Sequence, residues 1–221
     1  MTSKLIRFLP TVPPGARCAG RARAPGAPAR ATLATSLELP GLPPPRFAAV
    51  EVLWPVGAAW AGGPSEHAAA GISDGETTAA SGVVPDDGSV VVEVDEVVAR
   101  GGDALAARWA DGGERFKMMS FGRRNPALTR TEFAERWRAE AGRLGGDRIP
   151  DDLRGSAYVQ DHPRGDDPPF DAVNEVWFDR LDDLRRRAAW FAARPVPADL
   201  MSPAECWSLC LRETVVIPAR P

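Results

Sequence analysis

Short apolar runs recur along the chain, each bounded by Pro, Gly, Asn or Asp, and their length predicts strands rather than helices. In the first half these runs cover residues 4–9, 32–39, 47–54 and 89–98; in the second they cover 116–122, 155–162, 171–178 and 206–217. Helical spacing is clear at two places. Thr129-Arg-Thr-Glu132 has the form of a capping box, and Phe133, Trp137, Ala141 and Leu144 follow as one apolar stripe, stopped by Gly145-Gly146. Asp179-Arg-Leu181 opens a second helix with Leu184, Ala188 and Phe191 inward, ending near Pro195. The matching region of the first half, 13–28, holds prolines at 13, 14, 25 and 28, which leave no room for a full helix. Residues 61–88 read as a long loop holding a short helix.

The pattern repeats. Lys4-Leu-Ile-Arg-Phe8 aligns with Lys117-Met-Met-Ser-Phe121. The segment 45–54 aligns with 168–177, matching Trp54 to Trp177, and 92–98 aligns with 210–216, matching Asp95 to Glu213. Each half therefore reads βαββαβ, the ferredoxin-like plan, with the first copy degraded. The expected organisation is α+β: a degenerate repeat over 1–100, a helical joint over 101–115 between glycine pairs, and a better-formed repeat over 116–221.

Three stretches of the second copy carry a family likeness: Leu128-Thr-Arg-Thr-Glu-Phe133-Ala-Glu-Arg-Trp137, Tyr158-Val-Gln160-Asp-His162, and Phe170-Asp171-Ala-Val-Asn-Glu175-Val-Trp177-Phe178. Together they make residues 117–192 resemble the EthD-domain family of the dimeric α/β-barrel superfamily. The resemblance implies that two ferredoxin-like units close into one barrel, here within a single chain as a pseudo-dimer. It also implies work on small molecules, including dehydration, cyclisation or cofactor-independent oxidation of aromatic polyketides. One departure stands out: family members commonly carry a histidine in a Trp-Arg-x-x-His pattern, and here that place is Ala141.

Composition narrows the partners. A net charge of −3 gives no basic footprint for nucleic acid, and no apolar run approaches the roughly 18 residues of a membrane span. Three cysteines cannot close a disulfide framework, so a soluble cytoplasmic protein with reduced thiols is expected. Of 27 basic residues only Lys4 and Lys117 are lysine. The abundance of arginine, beside so much Ala, Gly and Pro, reads as coding bias rather than function.

Candidate chemistry gathers in the second copy. Tyr158, Gln160 and His162 share one side of their strand, while Ala157 and Val159 share the other. Placing the apolar pair under the helices aims the trio at the barrel interior or its mouth. There His162 is the expected proton shuttle, and Tyr158 and Gln160 hold substrate oxygens. Glu175, a mid-strand carboxylate among apolar neighbours, is expected to tune or relay the proton or to pair with Arg7 or Arg212, which also count among the expected substrate contacts. Trp54 and Trp177 offer two aromatic walls, and Ser120 completes the expected substrate contacts. Cys206 and Cys210 read as core thiols without a metal site, and His67 as a solvated loop residue.

The expectation is a cofactor-independent enzyme acting on a hydrophobic, polyketide-like small molecule by acid–base chemistry, as a cyclase, dehydratase or isomerase. One alternative is a cofactor-independent monooxygenase forming a quinone. The other is a non-catalytic small-molecule binding or accessory protein. The chain would act as a monomeric pseudo-dimer or a homodimer of pseudo-dimers.

Overall fold

The computed structural model describes residues 2–11, 30–54, 88–111 and 114–217. Eight strands form the body: β1 (Thr2–Leu9), β2 (Arg30–Ser36), β3 (Ala49–Trp54), β4 (Val90–Arg100), β5 (Glu114–Gly122), β8 (Ala157–Pro163), β9 (Ala172–Phe178) and β10 (Trp207–Ile217). A small hairpin of β6 (Arg143–Leu144) and β7 (Asp147–Arg148) lies apart from them. The α-helices among the described residues are α1 (Gly102–Asp111), α2 (Arg130–Ala139) and α3 (Leu181–Ala192). No helix among them is long and apolar enough to cross a membrane.

The eight strands close into one antiparallel barrel in the order β1-β3-β2-β10-β5-β9-β8-β4. This corrects the expected tandem ferredoxin-like α+β architecture with its dimeric α/β-barrel pseudo-dimer: the described residues are mostly β, with three α-helices among them. Both helices expected in the second half form, but they lie outside a sheet in which every strand run pairs into one closed barrel. The stretches 13–28 and most of 61–88 lie outside the described residues. The halves are joined edge to edge, β4 on β8 and β2 on β10, so every barrel strand has two neighbours.

Pairing also fixes the equivalence between the halves. Lys4 lies opposite Val94 on β4, and Lys117 opposite Leu211 on β10, so Glu96 corresponds to Glu213. The alignment of Asp95 with Glu213 was one residue out, and in a strand one residue means the other face.

Alternation sends Ile6, Phe8, Val52, Val94, Met119, Val159, Val173 and Leu211 into the barrel, all at most 2% exposed. One end is filled by an aromatic group of Phe8, Phe47, Phe121, Phe170 and Trp207, with Phe121 stacked on Trp207 at 4.3 Å. At the other end α1 brings Leu105 and Trp109 into the same core, with Trp109 5.5 Å from Trp54.

The outer faces of β5, β8, β9 and β10 carry α2 and α3. Thr129 and Glu132 form the expected capping box and start α2, but α2 ends at Ala139, and β6 and β7 replace its predicted continuation to Leu144. Phe133 and Trp137 pack on Ala172 and Leu200, while Leu184 and Ala188 of α3 pack on Met118, Val176 and Cys210.

Candidate functional site

Between this outer sheet face and the helices lies a cavity of about 530 Å³. Its floor comes from outward-facing residues of four strands. Ser120 and Ser208 share a hydrogen bond of 2.9 Å, and the Tyr158 hydroxyl donates to Asn174 Oδ1 at 2.8 Å. Met118, Val176, Ala188 and Phe191 make apolar walls, with Trp137 and Trp207 also facing the space. This profile, mostly apolar with a few fixed polar groups, is that of small-molecule sites in general.

The charges around the cavity are lopsided. Arg46, Arg100, Arg143, Arg154 and Arg187 line it, against the single lining carboxylate of Glu140. One oxygen of that carboxylate, Oε2, is buried with no hydrogen-bond partner among the described residues. Burial pushes the Tyr158 hydroxyl up to about 12 and the Cys206 and Cys210 thiols up to about 11, so all three stay protonated at neutral pH.

The face expected for the Tyr158–Gln160–His162 trio is inverted. Ala157 and Val159 point into the barrel, and the trio points at the helices. Tyr158 and Ser120 therefore meet in the cavity. Gln160, 2% exposed, donates its amide to the Trp137 carbonyl at 2.9 Å and fastens α2 to the sheet. His162 rests edge-on against Trp137 at 4.7 Å, in a separate shallow crevice with Arg130, Arg138 and Arg164. Burial first, and Arg138 second, push its imidazole down to about 4. It is neutral at physiological pH and stands outside the main cavity.

Glu175 has a different setting. It is fully buried inside the barrel, and its partners are lysines, not the expected Arg7 or Arg212. Arg212 lies outside, exposed, and reaches Glu114 at 3.3 Å; Arg7 bonds Ser89 at 3.3 Å. Lys4 Nζ donates to Glu175 Oε1 and, at 2.8 Å, to Glu96. Lys117 Nζ donates to Glu175 Oε2 at 2.7 Å and to Glu213 at 2.5 Å.

Trp54 and Trp177, expected as ligand walls, serve this cluster instead. Their indole N–H groups donate to Glu96 at 3.2 Å and to Glu213 at 2.7 Å, and Thr32 adds a hydroxyl to Glu213. The Arg30 guanidinium lies 3.7 Å over Trp54 and 3.2 Å over Trp109.

Asp161 completes the cluster 3.0 Å from Lys4 Nζ, yet neither carboxyl oxygen receives a directed hydrogen bond among the described residues. Burial raises its pKa well above the carboxylate range, with the charge on Glu175 adding to the effect. Glu175 is held well below that range: against its own burial, the ammonium groups of Lys117 and Lys4 prevail. Lys4, Lys117 and Arg30 thus lie among four acidic side chains, Glu96, Asp161, Glu175 and Glu213. Paired ionic groups and apolar side chains fill the barrel interior among the described residues.

Sequence reasoning missed Lys4, Lys117, Glu96, Asp161 and Glu213 in the core, and Asn174, Ser208, Glu140 and the arginines in the cavity. A usable signal existed for the lysines. A chain that otherwise chooses arginine keeps its two lysines at matching places of the repeat. No family model matches the chain, and no curated protein matches it.

Proposed function

We propose that the protein binds a hydrophobic small molecule in the cavity between the outer sheet face and helices α2 and α3, and works as a non-catalytic binding or accessory protein. The observation that carries this reading is the cavity itself: about 530 Å³, apolar-walled, with a short polar floor. That volume falls in the range of drug-sized ligand sites, about 300–1,000 Å³. Acid–base turnover by His162 gains no support, because its imidazole faces another crevice and is pushed down to about 4.

The test is uptake of a neutral apolar dye such as Nile red, followed by its fluorescence. Ala141→Trp and Ala192→Trp place bulk at exposed positions of the cavity lining and should block uptake while leaving the far-UV spectrum unchanged. Uptake undiminished in both variants would place the dye elsewhere and overturn the assignment.

Glu140 favours a second reading. It lines the cavity, and one of its carboxylate oxygens is buried with no hydrogen-bond partner among the described residues; a carboxylate at a cavity wall is a candidate general base. In that case the protein is an acid–base enzyme, and Glu140→Gln abolishes turnover with dye uptake intact. Ligands recovered unchanged from the wild-type protein favour the binding reading.

A further inference from the structure

Resting on that binding reading, we propose that the ligand is an apolar molecule carrying an anionic oxygen group, a carboxylate or an ionised phenol or enol, and that Arg187 receives it with help from Arg154 and Arg100.

Arg187 projects from α3 and is 6% exposed. One of its N–H groups donates to the Leu153 carbonyl at 2.8 Å, and its guanidinium lies 4.2 Å over the Phe191 ring. Its Nε has no hydrogen-bond partner, and it makes no ion pair with a carboxylate among the described residues. Buried charges are ordinarily paired, because removing an ion from water without a counter-charge is costly. Here the neighbouring charges are of the same sign. Burial pulls Arg187 down to about 10, with Tyr158 opposing and Arg100 and Arg154 adding to the effect.

Arg154 contributes a second buried Nε without a partner. Its guanidinium passes over Gly142, where a Cβ would stand 2.8 Å from Nη2, so glycine at 142 keeps that path open. Its one carboxylate contact is the exposed Asp151, at 3.3 Å. Arg100 is paired in register with Tyr158 and donates to the Gly155 carbonyl at 2.8 Å and to the Arg154 carbonyl. The guanidiniums of Arg187 on α3, Arg100 on β4 and Arg154 in the loop before β8 thus share one wall; backbone carbonyls hold the first two, and the third has only the exposed Asp151. Five lining arginines against one lining carboxylate, in a chain of net charge −3, reverse the sign of the molecule locally. A planar guanidinium with free N–H groups matches a carboxylate in particular.

The experiment compares matched pairs on the full chain: 2-naphthoate against 2-naphthamide, and 9-anthracenecarboxylate against its amide. Binding is read from quenching of tryptophan fluorescence. Each acid should bind about ten- to a hundredfold tighter than its amide, the range for a hydrogen bond to a charged group. Arg187→Met should remove that preference and leave the amide's affinity unchanged. If Arg187→Met does not fold, Arg100→Met at the partly exposed position should reduce the preference, and added salt should weaken the acid alone. Equal affinity for acid and amide in the wild type would overturn the anionic head group while leaving the binding site in place. No binding by any of the four, together with no dye uptake, would overturn both.

Discussion

Glu175 joins Lys4 to Lys117 across the inside of the barrel, one carboxylate oxygen for each ammonium group. The first half has Val52 at the place of Glu175, as the pairing of each with its neighbours shows. One carboxylate therefore serves two lysines that the repeat supplies in duplicate. Removing one partner from a buried ionic network leaves the others uncompensated.

Glu175→Val, which copies the first half, should destabilise the protein by about 3–5 kcal/mol. Urea unfolding followed by tryptophan fluorescence measures this. A loss under about 1 kcal/mol would mean that the lysines find other partners.

Asp161 should act in the opposite sense. Its folded pKa is raised, so between the ordinary carboxylate range and that raised value the folded state holds a proton that the unfolded chain has lost. Stability therefore falls as pH rises through that window. Asp161→Asn removes the dependence and should be more stable than wild type at pH 8, with the difference vanishing near pH 4. Parallel pH–stability curves would show that Asp161 is charged in the fold.

His162 gives a third test, with the sign again fixed by direction. Its folded pKa is lowered to about 4, so its contribution is complete above the unfolded value of about 6.5 and is lost as pH falls towards 4. The imidazole resonances should titrate with a midpoint near 4. His162→Ala should leave ligand affinity in the cavity unchanged.

Thr129→Ala breaks the capping box that starts α2. The cost should be about 1 kcal/mol. Because α2 carries Trp137 on the cavity wall, hydrogen exchange should rise first in residues 130–133.

Strand positions were legible from apolar runs, and the capping box at Thr129 from the four-residue motif that ends at Glu132. The facing of β8 was not. Alternation separates Ala157 and Val159 from Tyr158, Gln160 and His162, but it does not say which set lies under the helices. A closed barrel is apolar inside as well, so both faces of β8 are buried and hydrophobicity no longer marks the helix side. Glu175 was singled out correctly as needing a partner, but Arg7 and Arg212 have the wrong parity, each one residue from an inward position. The cavity was harder still. Ser120, Asn174 and Ser208 are unremarkable along the chain and become a floor only when β5, β9 and β10 pair. The arginine wall was hidden by the abundance of arginine everywhere else.

Along β5 and β9 the inward and outward residues are immediate neighbours: Met119 beside Ser120, and Glu175 beside Asn174. One set holds the fold together and the other faces the cavity, and the backbone between them is common to both. Side chains on the outer set can be exchanged without touching a single ion pair of the core. Under the proposed binding role, ligand preference is thus free to drift, by selection or by design, at Ser120, Asn174 and Ser208 while the architecture stays constant. Insertion of one residue into either strand has the reverse effect, since it would turn core charges outward and cavity side chains inward together.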